Sequence, residues 1–153
     1  MDHIPSIGSV MTPFPCVVQI NDSVLAARSL MVEHEVRHLP VKDGSTLVGV
    51  LTDRDLKRAL DPSLGLPPKG ELFVHDIFVP DAYVVDVGEP LDSVLDRLSS
   101  QHIGSALVTK NGRLVGIFTL SDAARLLSRR GVGRFAWPHR CARECHPTSD
   151  RQR

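Results

Sequence analysis

The sequence predicts an α+β fold built as a tandem pair of one unit, and two observations carry that expectation. First, apolar positions recur at an offset of 67 residues, without a gap, over more than forty residues. Val10-Met11 falls on Ile77-Phe78, Val17-Val18 on Val84-Val85, and Val24, Ala27 and Met31 on Leu91, Val94 and Leu98. Val36 falls on Ile103, Val41 on Val108, and Leu47-Val48-Gly49 on Leu114-Val115-Gly116. Second, both copies close in the same way, on Gly49-Val50-Leu51-Thr52-Asp53-Arg54-Asp55 and on Gly116-Ile117-Phe118-Thr119-Leu120-Ser121-Asp122. Each is an apolar run that ends in Thr, with Asp three residues later, as expected where a strand runs straight into a helix. The period exceeds that of common solenoid repeats, and two copies suggest a pseudo-symmetric pair.

The elements follow in order. Cys16 to Ile20 is a short apolar strand. Asp22 is the expected N-cap of a helix whose Val24, Ala27 and Met31 recur at helical spacing. Arg37 to Val41 reads as a strand, Lys42-Asp43-Gly44-Ser45 as a hairpin turn and Thr46 to Leu51 as the returning strand. Asp53 to Leu60 is the second helix. In the second copy, Pro90 stands near a helix start, and Leu91, Val94, Leu95 and Leu98 share one face. Lys110-Asn111-Gly112 is the matching hairpin turn, with Asn-Gly a strong turn signal. The stretch from Asp61 to Gly70 is rich in Pro and Gly and reads as a linker. The units are set at residues 5–62 and 73–130, with a linker at 63–72 and a tail at 131–153.

Composition bounds the class. The chain has 153 residues, 42% hydrophobic, which is one ordinary domain or two small units sharing a core. No run approaches the roughly 18–20 apolar residues of a membrane-spanning helix. The start, Met1-Asp2-His3-Ile4-Pro5, lacks the basic and apolar regions of a signal peptide. Three cysteines, Cys16, Cys141 and Cys145, point to a reducing cytoplasm and not to a disulfide framework. The net charge of zero is unevenly spread. From Ser128 onward, seven Arg stand against Glu144 and Asp150, so a mildly acidic body carries a basic tail.

The repeated motif suits an anionic ligand. A helix start exposes unpaired N–H groups and the positive end of the dipole, and so can receive a phosphate. The hydroxyls of Thr52 and Thr119 can donate to a phosphate oxygen. The acceptor-only carboxylates of Asp55 and Asp122 suit the two vicinal hydroxyls of a ribose. Thr-x-x-Asp is also a near-match to a capping box, in which Thr caps the helix and the acid reaches back. The two roles are compatible, since a ligand can displace a cap.

Val10-Met11-Thr12-Pro13, then Val36-Arg37-His38-Leu39-Pro40-Val41, then Leu47 to Leu56 together resemble a CBS domain. Residues of about 73–130 resemble a more diverged one. The resemblance covers roughly residues 5–130. It implies β-α-β-β-α units packed face to face as a Bateman module, with adenosine-containing ligands bound in two clefts, and dimerisation. It places phosphate and ribose on Thr52 and Asp55, and on Thr119 and Asp122. It places adenine in an apolar slot at Thr12, Pro13, Cys16 and Val36 in the first copy, and at Val79, Pro80, Tyr83 and Ile103 in the second.

Arg37-His38 is the informative difference between the copies, because Gly104-Ser105 stands at the matching place. Arg37 can pair with a phosphate in bidentate fashion. His38 can add a hydrogen bond, and charges below neutral pH. Alternatively, both simply project from a surface strand. Arg54 either screens ligand phosphates or lies in solvent. The first cleft is thus expected to prefer a phosphorylated ligand.

No nucleophile elbow, Walker loop or paired-acid arrangement appears, so no enzyme is expected. The leading expectation is a stand-alone regulatory module for an adenine nucleotide such as AMP or ATP, acting on an effector protein. Its rival is a structural dimerisation module in which Thr-x-x-Asp serves only as a cap. A homodimer is expected through apolar faces of the helices near 23–32 and 90–100. In the tail, His139, Cys141, Cys145 and His146 are soft-metal donors without zinc-finger spacing, so no metal site is assigned. Phe135-Ala136-Trp137-Pro138 is a candidate anchor. Nucleic-acid binding through the Arg-rich tail is a weak signal, since the body has no basic, aromatic-studded face.

Overall fold

The computed structural model describes residues 4–64 and 72–129. The metal-donor cluster and the Phe135–Pro138 segment lie outside these residues. The strands are β1 (Thr12–Pro13), β2 (Val18–Gln19), β3 (His38–Asp43), β4 (Thr46–Thr52), β5 (Val79–Pro80), β6 (Val84–Asp86), β7 (Ser105–Lys110) and β8 (Arg113–Thr119). The helices are α1 (Val24–Glu33), α2 (Asp53–Ala59), α3 (Val74–Ile77), α4 (Leu91–Ser100) and α5 (Leu120–Arg129). The fold is α+β, with two four-stranded mixed sheets.

Each hairpin forms where its turn chemistry directs. Gly44 at φ +60°, and Asn111 and Gly112 at +50° and +74°, occupy the left-handed region. Such positions favour Gly and Asn. The turns are tighter than expected, because Lys42, Asp43 and Lys110 remain in strand. The N-cap of α1 is Ser23, whose Oγ accepts from Ala26 N–H at 3.1 Å. Asp22, expected in that role, instead accepts from Gln19 N–H at 2.8 Å and closes the turn before the helix.

The sheets are ordered β2-β3-β4-β5 and β1-β8-β7-β6. Each therefore takes an edge strand from the other half of the chain. β5 pairs antiparallel with β4, in the register Gly49↔Pro80 and Val50↔Val79. β1 pairs antiparallel with β8, in the register Thr12↔Ile117 and Pro13↔Gly116. The flanking residues follow their strands. Leu72 and Val74 are buried in the first core, while Ile7 is buried in the second. A β-carbon on Gly49 would overlap the Val79 carbonyl oxygen, and one on Gly116 would overlap Met11 Sδ. The glycine that opens each repeated motif is thus what lets the exchanged strand approach.

Two cores result. Leu39, Val41 and Leu51 face α1 and α2 in the first, and Ala106, Val108 and Phe118 face α4 and α5 in the second. Fully burying one such side chain contributes about 1.5–3 kcal/mol. Strand side chains alternate between faces. Pro40, Val50, Leu107 and Ile117 are also buried, yet belong to neither cluster. They lie on the sheet faces turned away from the helices, where the two halves meet.

The helix exteriors differ from expectation. α1 does expose Leu25 and Val32. The outer residues of α4 are Asp92, Ser93, Asp96, Arg97, Ser99 and Ser100, because Val94 and Leu98 are buried and Leu91 and Leu95 pack against their own core. Among the helices of the second half, the exposed large apolar residues lie on α5, as Leu120 and Leu127.

Candidate ligand clefts

Both Thr-x-x-Asp motifs sit at strand-to-helix junctions, as the apolar run followed by a capping pair requires. Thr52 has extended backbone and ends β4, and α2 begins at the next residue. Asp55 N–H donates to Thr52 Oγ1 at 3.2 Å. Asp55 Oδ2 accepts from Thr52 N–H at 3.0 Å and from Thr52 Oγ1 at 2.6 Å. The capping box is therefore complete. At the second junction, Asp122 Oδ2 accepts from Thr119 N–H at 2.9 Å and from Thr119 Oγ1 at 3.1 Å, while Asp122 N–H donates to Thr119 Oγ1 at 3.4 Å. The first N–H of each helix is already used. Asp53 N–H donates to the Arg37 carbonyl at 2.9 Å, and Leu120 N–H to the Gly104 carbonyl at 3.2 Å.

The two carboxylates differ in what remains free. Asp122 is buried, and its Oδ1 accepts from Thr12 Oγ1 at 3.5 Å and from Arg125 Nη1 at 3.4 Å. Asp55 is half-buried, and its Oδ1 has no partner among the described residues. Strand exchange explains part of this difference. The residue that meets Asp122 is Thr12, whereas its equivalent on β5 is Val79, which has no hydroxyl. Arg125 was not singled out from sequence, although its i,i+3 spacing from Asp122 is the signal that finds it.

The exchange also regroups the residues assigned to adenine. Thr12 and Pro13, read with the first motif, lie on β1 beside the second. Val79 and Pro80, read with the second, lie exposed on β5 beside β4. Cys16 is buried in the first core, against which Val36 also packs. Tyr83 and Ile103 pack against the second core, and the Arg97 guanidinium stands 4.9 Å over the Tyr83 ring. Burial raises the Tyr83 phenol above its ordinary pKa, and Arg97 opposes that rise.

Arg37, just before β3, and His38, its first residue, face opposite ways. Arg37 is exposed and lines an outer groove with Arg28, Asp53 and Lys57. His38 is half-buried on the inner face, and its Nε2 lies 3.2 Å from where a β-carbon on Gly104 would stand. Burial lowers the His38 pKa below 6.5; Asp122 and then Asp55 push it back up, and Arg37 lowers it further. His38 therefore lies within the electrostatic reach of both motifs. Arg54 is exposed on α2.

The CBS domain model matches residues 7–62 and 74–133. Among curated proteins, the L-aspartate semialdehyde sulfurtransferase of Methanocaldococcus jannaschii is 27% identical over 125 residues, 80% of this chain. The match spans only 23% of that enzyme's length. Among solved structures, the CBS domain pair of protein MJ0100, in complex with 5′-methylthioadenosine and S-adenosyl-L-methionine, superposes with a TM-score of 0.73. It is 25% identical, and the match covers 84% of this chain and 99% of that one. The structure of CBSX2 in complex with AMP has a TM-score of 0.68 at 30% identity, over 82% of this chain and 98% of that one. With both repeats matched in order and the paired fold present, the chain belongs to the CBS domain family, as a tandem CBS pair.

Proposed function

We propose that this chain is a regulatory module that binds an adenosine-containing ligand and transmits its occupancy to a partner protein. It acts without catalysis of its own. The observation that carries the reading is the Asp55 carboxylate. Its Oδ2 is oriented by Thr52, and its Oδ1 is left to accept. A carboxylate so held can take both hydroxyls of a ribose when the Thr52 cap yields. The similar pairs with 5′-methylthioadenosine, S-adenosyl-L-methionine and AMP support an adenosyl group as the common element. The phosphate of AMP or ATP is assigned to His38, which stands on the inner face within electrostatic reach of both motifs, while Arg37 lines the outer groove. The second cleft is assigned weaker binding, because Thr12 and Arg125 already occupy Asp122 Oδ1.

The complete capping boxes favour a second reading, in which both motifs are purely structural. Thermal denaturation with AMP, ATP, S-adenosyl-L-methionine and 5′-methylthioadenosine distinguishes the two. A ligand at a hundred times its Kd stabilises the folded state by about 2.7 kcal/mol. A raised Tm with at least one of these supports the sensor. No shift with any of them at millimolar concentration supports the purely structural module.

A further inference from the structure

We infer that Phe14 is a base-stacking residue of the second cleft, supplied to it by the first repeat. The inference rests on the adenosyl reading above and adds a residue that neither motif contains. Phe14 is 75% exposed, the most of any large apolar residue described, and it belongs to neither core. Its backbone nevertheless stands at φ +48°, in the left-handed region. A bulky side chain is rare there, because its β-carbon crowds the following carbonyl. Pro15 narrows the choice further, since a proline restricts the residue before it. The same corner of the second repeat, 67 residues on, holds Asp81 at φ +58°. Asp adopts that conformation far more readily than Phe. The fold thus needs the bend in both copies, but nothing in the packing needs a phenyl ring at it.

The place of Phe14 in the chain points to a ligand. β1 is the strand that the first half lends to the second sheet, and Phe14 N–H extends its pairing by donating to the Val115 carbonyl at 3.0 Å. Two residues earlier, Thr12 Oγ1 reaches Asp122 Oδ1. Two residues later, Cys16 is buried in the first core. Phe14 therefore stands where the chain crosses from one half to the other, at the rim of the cleft that Thr119 and Asp122 serve. An aromatic ring on a fixed backbone, left in water, suits a flat ring arriving from solution, and a purine base is such a ring. Backbone strain kept without a gain in burial marks a functional position. Stacking also offsets what this cleft lacks. Thr12 and Arg125 already occupy Asp122 Oδ1, so the base contributes where the ribose hydroxyls contribute less. Asp81, at the matching corner, cannot stack, so the two clefts hold their bases differently.

The test uses full-length protein with AMP and, as a probe that lacks a base, ribose 5-phosphate. In a Trp137→Phe chain, Phe14→Trp leaves a single tryptophan, at position 14. AMP should quench its emission, and ribose 5-phosphate should not. By calorimetry, Phe14→Asn should weaken one of the two AMP sites by roughly five- to a hundredfold and leave the other unchanged. Its Tm should hold or rise, because Asn tolerates the left-handed region. A lowered Tm would show that the ring holds the fold, and would overturn the inference from strain. Unchanged emission, or unchanged AMP affinity in Phe14→Asn, while the parent binds AMP would overturn the proposal and leave Phe14 as surface for a protein partner. A parent that binds neither AMP nor 5′-methylthioadenosine overturns the adenosyl reading itself, and this inference with it.

Discussion

Gly49→Ala tests whether the strand exchange depends on a missing side chain. A β-carbon at Gly49 would overlap the Val79 carbonyl oxygen and stand 2.8 and 2.9 Å from Phe78 Cδ2 and Cε2. That carbonyl cannot swing aside as a side chain would, because β5 is held in the ladder by Gly49↔Pro80 and Val50↔Val79. The strand must move, and Phe78 must give up part of its packing on the first core. Overpacking of this kind costs about 1–3 kcal/mol. The substitution also removes unfolded-chain entropy, which offsets about 0.4–1 kcal/mol. The expected net loss is about 1–2 kcal/mol, or roughly 2–8 °C in Tm for a chain of this size. Urea denaturation followed by circular dichroism measures it, with Gly88→Ala as control. There the nearest atom is Asp86 Oδ1 at 3.3 Å, a side-chain tip, so the change should stay within about 0.5 kcal/mol. A Gly49→Ala protein as stable as the control would refute the reasoning.

His38→Gln should alter the pH dependence of stability. Burial lowers the His38 pKa from 6.5, so the unfolded chain takes up a proton more readily than the folded one. Its contribution to stability is therefore complete above about pH 6.5 and lost as pH falls through the folded-state pKa. Denaturation midpoints between pH 7.5 and 5 should fall less steeply in the variant, and an unchanged slope would count against a half-buried imidazole. Ser23→Ala should cost about 0.5–2 kcal/mol through loss of the α1 cap, whereas Asp22→Ala should leave that cap intact. Chemical denaturation of the pair reverses the assignment if only Asp22→Ala loses helix. Arg125→Met should leave Asp122 Oδ1 with Thr12 as its one donor and strengthen adenosine binding at the second cleft, read by calorimetry; weakened binding would show that Arg125 helps to hold ligand.

Much of the fold was legible because its signals are local. Asn111-Gly112 and Gly44 mark hairpins through backbone conformations that few residues adopt. Thr52 and Asp55 announce a helix start through bonds that span three residues. The internal repeat then doubles every such signal. The strand exchange was not legible. β1 and β5 are two residues each, too short to show a period, and their partners lie about a hundred residues away for β1 and about thirty for β5. The regrouping of Thr12 with Asp122 follows from that exchange, and no local pattern contains it. The opposed facing of Arg37 and His38 was legible in principle, since adjacent strand residues point apart. Treating them as one phosphate-binding pair passed over that alternation. The polar exterior of α4 was equally open to reading, because Val94 and Leu98 share the one face it buries.

The central claim, that Asp55 accepts a ribose, is tested most directly by calorimetry of AMP and 2′,3′-dideoxy-AMP on the parent chain and Asp55→Ala. A hydrogen bond to a charged group contributes about 1.5–3 kcal/mol. Loss of Asp55 should therefore weaken AMP by roughly ten- to a hundredfold, at about 1.4 kcal/mol per factor of ten. The dideoxy analogue, which has no hydroxyls to lose, should change far less. Stability measured separately isolates the loss of the Thr52 capping box, which bears on both ligands alike. An unequal loss is the result this account requires; equal losses for the two nucleotides would contradict it and return Asp55 to a purely capping role.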